Sequence, residues 1–225
     1  MKAIIFGATG MVGQGLLREC LLDPDLEAVL TIGRTPTGQK NPKLRELVHQ
    51  NLLDYSDIEG ELAGYDACFF CLGITSAGTP EAEYERITYS IPVATAQTLL
   101  RLNPGMTFIY VSGRGADSSE KSTTMWARIK GKAENALLAM PFQATYVFRP
   151  AFIQPLHGIR SRTKIYNLLY AVFRPLIPVL QAIAPASATT TEQLGQAMIA
   201  VAKHGAPQRV LESADISRFV SALLR

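Results

Sequence analysis

Short apolar runs alternate with amphipathic stretches along most of the chain. The segments "KAIIF", "AVLTI", "ELVHQ", "ACFFCL", "TFIYVS" and "ATYVFR" are rich in β-branched or aromatic residues and show little polar alternation. Strands of this kind suit burial on both faces, as in a parallel sheet. Between them, apolar positions recur at helical spacing over Met11–Leu22, Glu81–Leu102 and Met125–Leu138. The alternation predicts an α/β fold, a doubly wound parallel sheet, with no repeats and no low-complexity tract. A more continuous apolar stretch, "IYNLLYAVFRPLIPVLQAIAP" (165–185), stands apart. Arg174, Gln181, Pro175 and Pro178 interrupt it, so it makes a poor transmembrane span and reads as a lid over the sheet's open end, with peripheral membrane contact or a dimer surface as the minority reading.

Composition narrows the class without changing this picture. With 225 residues, 48% apolar and 18% charged, the chain can bury one substantial core. A net charge of +3 without a Lys/Arg cluster argues against nucleic acid as a partner. The start, "MKAIIFGATG", runs straight into a glycine turn and argues against a cleavable signal peptide. Three cysteines, Cys20, Cys68 and Cys71, make a disulfide framework improbable and suggest a reducing compartment, taken here as cytoplasmic. "CFFC" has the spacing of a redox pair. On a strand, however, side chains three apart face opposite ways, and packing explains both sulfurs better.

The sharpest chemical signal is "IIFGATGMVGQGLL". A strand runs into Gly7-Ala8-Thr9-Gly10-Met11-Val12-Gly13, and a helix follows. Gly7 permits the tight turn, Gly10 lets the backbone approach a pyrophosphate, and Gly13 allows helix and strand to pack closely. The helix N-terminus then offers unpaired N–H groups to the anion. The second strand of a fold that binds NAD usually ends in a carboxylate for the ribose 2′-OH. Here "VLTIGRTPTGQ" offers Arg34 and no acid nearby, which predicts NADP(H) through a bidentate grip on a 2′-phosphate.

With "GATGMVG", "CLGIT", "VSGRGAD", "WARIKGKAE" and "YVFRPAFI" in order, the chain resembles the short-chain dehydrogenase/reductase superfamily. It looks most like the atypical branch near the Tat-interacting oxidoreductases and the small NAD-dependent epimerase/dehydratase-like proteins. The resemblance covers about Met1 to Gly205. It implies a single Rossmann domain over 1–225 with a substrate-side extension over 151–189, a small-molecule substrate and oxidoreductase activity. It also implies that Gly7, Thr9, Gly10, Met11 and Val12 line the pyrophosphate, and that Arg34 binds the adenosine-side phosphate. Asn51 and Leu52 would flank the adenine, and Leu72 and Gly73 would pass beside the ribose and nicotinamide. Lys130 would hold the nicotinamide ribose, and Pro150 to Phe152 would cover the nicotinamide. Ser112 (or Gly113) would stand at the substrate-orienting serine position. Pairing of two copies through Glu81–Leu102 and Met125–Leu138 fits the superfamily's habit.

One position departs from that pattern. The superfamily places a tyrosine one turn before the lysine, and this chain has Trp126. A phenol can surrender its proton to a developing alkoxide, whereas an indole N–H cannot. None of the eight tyrosines has a lysine four residues on. Two readings stay open. In one, Tyr89, Tyr166, Lys130 itself or a relayed water supplies the proton while Trp126 shapes the substrate pocket. In the other, the protein binds NADP(H) without turnover and senses it or holds a partner. His49, His157 and His204 show no ligand spacing and no visible carboxylate partner, and "SSEK" at Ser118–Lys121 is a coincidental Ser-x-x-Lys match.

Overall fold

A computed structural model describes residues 1–159 and 188–223. Seven parallel strands form one sheet in the order β3-β2-β1-β4-β5-β6-β9. They are β1 (Lys2–Phe6), β2 (Ala28–Gly33), β3 (Leu44–Val48), β4 (Ala67–Phe70), β5 (Thr107–Val111), β6 (Ala144–Arg149) and β9 (Val210–Glu212). The order reverses between β1 and β4, and the crevice beyond the strand ends at that switch is where such folds bind ligands.

The strands lack polar alternation because both faces are covered. Ala3, Ile5, Phe69, Ile109 and Phe148 face one layer, built on α1 (Met11–Leu22), with α6 (Thr191–His204) and α7 (Ser213–Leu223) beyond it. Ile4, Phe6, Phe70, Phe108 and Tyr110 face the other. That second layer holds α2 (Glu59–Leu62), α3 (Glu81–Glu85), α4 (Ile91–Leu102) and α5 (Met125–Leu138). Cys68 packs on the second face and Cys71 on the first, as the strand reading of "CFFC" requires. All three cysteines are free.

The predicted helix Glu81–Leu102 is interrupted by a π turn, Arg86–Ser90. Such a turn disturbs the regular carbonyl pairing, and the buried Tyr110 hydroxyl donates to Thr88 O at 3.1 Å. The sequence pattern missed β9, α6 and α7, and also a two-stranded parallel sheet of β7 (Phe152–Gln154) and β8 (Ala188–Thr190). Three-residue strands carry too little periodicity to stand out. Gly15 and Gly195 let α1 and α6 touch: a Cβ at Gly15 would lie 2.7 Å from Thr191 Cβ. The apolar stretch 165–185 and Tyr166 lie outside the described residues. Among those described, no helix is long and apolar enough to cross a membrane.

Candidate coenzyme and catalytic site

The turn after β1 is fixed by backbone crowding. Gly7 has φ +78, and a Cβ there would stand 2.6 Å from Leu72 N; a Cβ at Gly13 would stand 2.1 Å from Gly7 O. Either methyl group would force the turn open, so these glycines hold the start of α1 against the exits of β1 and β4. Gly10 N donates to Gly7 O at 2.9 Å, and Gln14 Nε2 donates to Thr9 O at 2.9 Å. The first turn of α1 has no side-chain cap and no acidic residue. By contrast, Thr190 and Gln193 close a full capping box on α6. The first N–H groups of α1, at Met11 and Val12, are therefore open to an anion.

These elements border a cavity of about 590 Å³. Its lining includes Gly7, Thr9, Gly10, Arg34, Asn51, Leu52, Leu72 and Gly73. Eight of the sequence-predicted binding positions thus share one space. Met11 and Val12 adjoin it in α1, while Ser112 and Lys130 lie outside its lining. A nicotinamide dinucleotide fits the cradle, since Gly7, Thr9 and Gly10 bring backbone to the cavity wall beside a helix start that carries no side-chain cap and no acid.

Two charged lining residues escaped the sequence reading. Arg86, in the π turn, reaches the cavity from the second helix layer. Glu46 reaches it from β3, in register with Thr31 of β2. The expectation of no acid near the end of β2 therefore holds along the sequence but fails in space. Strand register would have revealed Glu46.

The other half of the site gathers at the end of β5. Ser112 is buried, and its Oγ has no hydrogen-bond partner among the described residues. A buried hydroxyl without a partner costs free energy unless a ligand or water meets it. Lys130 on α5 is half-buried, with Nζ 5.9 Å from the Tyr110 ring centroid and Cε beside Gly113. Burial lowers its pKa to about 8, against a smaller upward pull from Glu134. Glu134 is itself claimed by Arg149, which also donates to Glu212 Oε1 at 3.0 Å and Ser118 Oγ at 2.7 Å. No ion pair therefore forms at the Lys130 amine among the described residues. The bond to Arg149 also gives Ser118 a structural role.

The loop between β5 and α5 is pressed onto the helix at Gly131, where a Cβ would lie 1.7 Å from Asp117 O. Asp117 braces the loop by accepting from the N–H groups of Ser119, Lys121 and Ser122. Trp126 lies against it: a Cβ at Gly115, with φ +91, would stand 3.1 Å from Trp126 Cη2. Among the described residues, the tyrosine ring that faces the Lys130 amine is Tyr110. Burial holds its phenol far above the usual range, and its hydroxyl is spent on Thr88 O. Tyr89 meets Lys132 instead, 4.3 Å from its ring centroid. Lys132 lies about 200° around the helix from Lys130. His157 does have a carboxylate partner, Glu192 at 2.6 Å, which its sequence surroundings concealed.

No protein-family profile matches the chain. Protein FMP52-2, mitochondrial, of Scheffersomyces stipitis is 30% identical over 153 residues, covering 67% of this chain and 66% of the relative, just under two-thirds of its length. Protein fmp52-1, mitochondrial, of Aspergillus terreus is 30% identical over 166 residues, covering 71% and 68%. Protein HTATIP2 of Rattus norvegicus is 28% identical over 155 residues, covering 68% and 62%. Among solved structures, a short chain dehydrogenase family protein from Francisella tularensis superposes with TM-score 0.66 at 11% identity, covering 95% and 98%. The chain belongs to the FMP52 branch of the atypical short-chain dehydrogenase/reductases. The FMP52 relatives are named as mitochondrial proteins, which overturns the expectation of a cytoplasmic one. Reduced cysteines mark any thiol-reducing compartment and cannot tell one from another.

Proposed function

We propose that this member of the FMP52 branch is an NADP(H)-dependent oxidoreductase acting on a small carbonyl or alcohol, with Lys130 as its proton source. The observation that carries the reading is the Lys130 amine. It is half-buried, carries no ion pair among the described residues, and stands at the strand end that also bears the unpartnered Ser112 hydroxyl. The solved UDP-glucuronic acid 4-epimerase of Bacillus cereus, in complex with NAD, shares the fold with TM-score 0.67 at 14% identity over 94% of this chain and 78% of that one. That likeness supports a nicotinamide dinucleotide in the cradle.

Gly7, Thr9, Gly10, Met11 and Val12 would hold the pyrophosphate, Arg34 the 2′-phosphate, and Asn51 and Leu52 the adenine. Leu72, Gly73 and Lys130 would hold the nicotinamide ribose end. When bound, the coenzyme supplies the hydride for a carbonyl carbon. Ser112 Oγ donates a hydrogen bond to the carbonyl oxygen and orients it. Lys130 Nζ, as the ammonium, gives that oxygen its proton and is recharged from water. Trp126 forms an aromatic wall and excludes water. The segment 151–189 would serve as the substrate-side cover, and two copies would pair through Glu81–Leu102 and Met125–Leu138.

The sign of the pH effect follows from the lowered amine. Reduction needs the ammonium, so its rate falls about tenfold per pH unit above about 8. An ordinary lysine would show no such limb until about 10.5. The test mixes the protein with NADPH and a panel of aldehydes, quinones and sugar nucleotides, and follows coenzyme absorbance. Turnover lost in Lys130→Met supports the proposal. Coenzyme binding with no turnover on any substrate would instead support a non-catalytic NADP(H)-sensing or partner-binding protein, the reading that Trp126 favours.

A further inference from the structure

Arg34 is exposed at the rim of the cavity and makes no side-chain ion pair among the described residues. A long side chain on a free loop would lose much rotamer and backbone freedom on gripping a phosphate, and that cost weakens binding. The loop is not free. His49 N donates to Gly33 O at 3.0 Å, and Gln50 Nε2 donates to Arg34 O at 3.0 Å. Three residues on, the Thr37 N–H donates to Glu46 Oε2. Residues 33, 34 and 37 are thus fastened to β3 and its exit at three separate points.

Glu46 is the unexpected member. A carboxylate in the same cavity as a phosphate would repel it, unless its charge serves something else. Here one oxygen is engaged by the Thr37 N–H, and the side chain is half-buried on the cavity wall. We propose that Glu46 and Gln50 are positioning residues that hold the Arg34 loop in the shape that selects a 2′-phosphorylated coenzyme. The inference rests on the NADP(H) reading above. Glu46 acts through the loop backbone, and Gln50 acts through the carbonyl of Arg34 itself. Neither touches the coenzyme.

The test is calorimetric titration of NADPH and NADH into the full chain and its variants, with no substrate needed. Arg34→Ala is expected to weaken NADPH about 10–100-fold, the scale of a lost charge-assisted contact, and to leave NADH within about twofold. Glu46→Ala and Gln50→Ala are each expected to weaken NADPH about three- to tenfold, with NADH again little changed. Glu46→Gln keeps an acceptor for Thr37 and should restore NADPH affinity. The double variant Arg34→Ala/Glu46→Ala should bind NADPH no more weakly than Arg34→Ala alone, because the two act as one unit.

NADH affinity serves as the control for folding, and Gln50→Ala keeps the proposal testable should Glu46→Ala fold poorly. If Arg34→Ala shifts the NADPH preference while Glu46→Ala and Gln50→Ala do not, the positioning role is overturned and the coenzyme reading stands. If Arg34→Ala shifts nothing, the coenzyme reading fails and takes this inference with it. If Glu46→Gln weakens NADH more than NADPH, Glu46 is a direct ribose ligand and the positioning role is likewise overturned.

Discussion

The two ends of the site are built on different plans. At the phosphate end, shape is set by backbone against backbone: Gly7 against Leu72, and Gly13 against Gly7. At the chemical end, few side chains hold each other. Among the described residues, Ser112 Oγ lacks a partner, Lys130 has only a distant aromatic face, and Trp126 rests on a glycine loop. The first plan tolerates almost no substitution but needs no particular side-chain chemistry. The second seats a side chain as large as the Trp126 indole against a glycine loop, clear of the sheet. Side chains there can be exchanged with less harm to the fold than the glycines of the turn.

The largest expected break falls on the chemical end alone. Lys130→Met should cut turnover about 10²–10⁴-fold, the usual worth of a general acid, in steady-state assays. Coenzyme affinity should fall far less, since the glycine turn is untouched. Next, Gly13→Ala and Gly131→Ala should each destabilise the fold by about 1–3 kcal/mol in denaturant titrations, because both added methyls collide with backbone. They should separate in calorimetry: Gly13→Ala loses coenzyme binding, whereas Gly131→Ala keeps it. Gly60→Ala, which meets open space, is the neutral control.

A smaller effect would sharpen the contrast. Trp126→Tyr returns a phenol one turn before Lys130 and should raise turnover about tenfold. It should also move the rate loss above pH 8 to higher pH, as the amine ceases to be the acid. An unchanged pH profile in that variant would remove Lys130 from its proposed role. The smallest effect concerns stability. Lys130 binds its proton more weakly folded than unfolded, so its burial costs most below about pH 8 and is relieved as pH rises toward 10.5. The melting temperature of Lys130→Met should accordingly exceed that of the parent at neutral pH, with the gap narrowing above pH 8.

Legibility in the sequence follows the same division. All six predicted strands and the helices Met11–Leu22 and Met125–Leu138 appear in the structure. Buried parallel strands leave unbroken apolar runs, and a glycine fingerprint leaves fixed spacings. Of the positions that the glycine spacing and the family resemblance point to, Gly7, Thr9, Gly10, Leu72 and Gly73 line the cavity, while Met11 and Val12 do not. Glu46 and Arg86 were hidden because each reaches the cavity through strand register or a π turn, neither of which a local pattern reports. Tyr110 was hidden for a related reason. It nears Lys130 from the strand beneath the helix, not along the helix itself. The short β7, β8 and β9 were illegible because three residues hold no period.

The pairing of Phe152–Gln154 with Ala188–Thr190 has a topological consequence. Two points more than thirty positions apart along the chain are stitched side by side. The entropy of closing a loop grows only slowly with its length, so the insert between those stitches can be lengthened, trimmed or exchanged at little cost to the sheet. A change of length there would leave the seven-stranded sheet and its glycine turn in place.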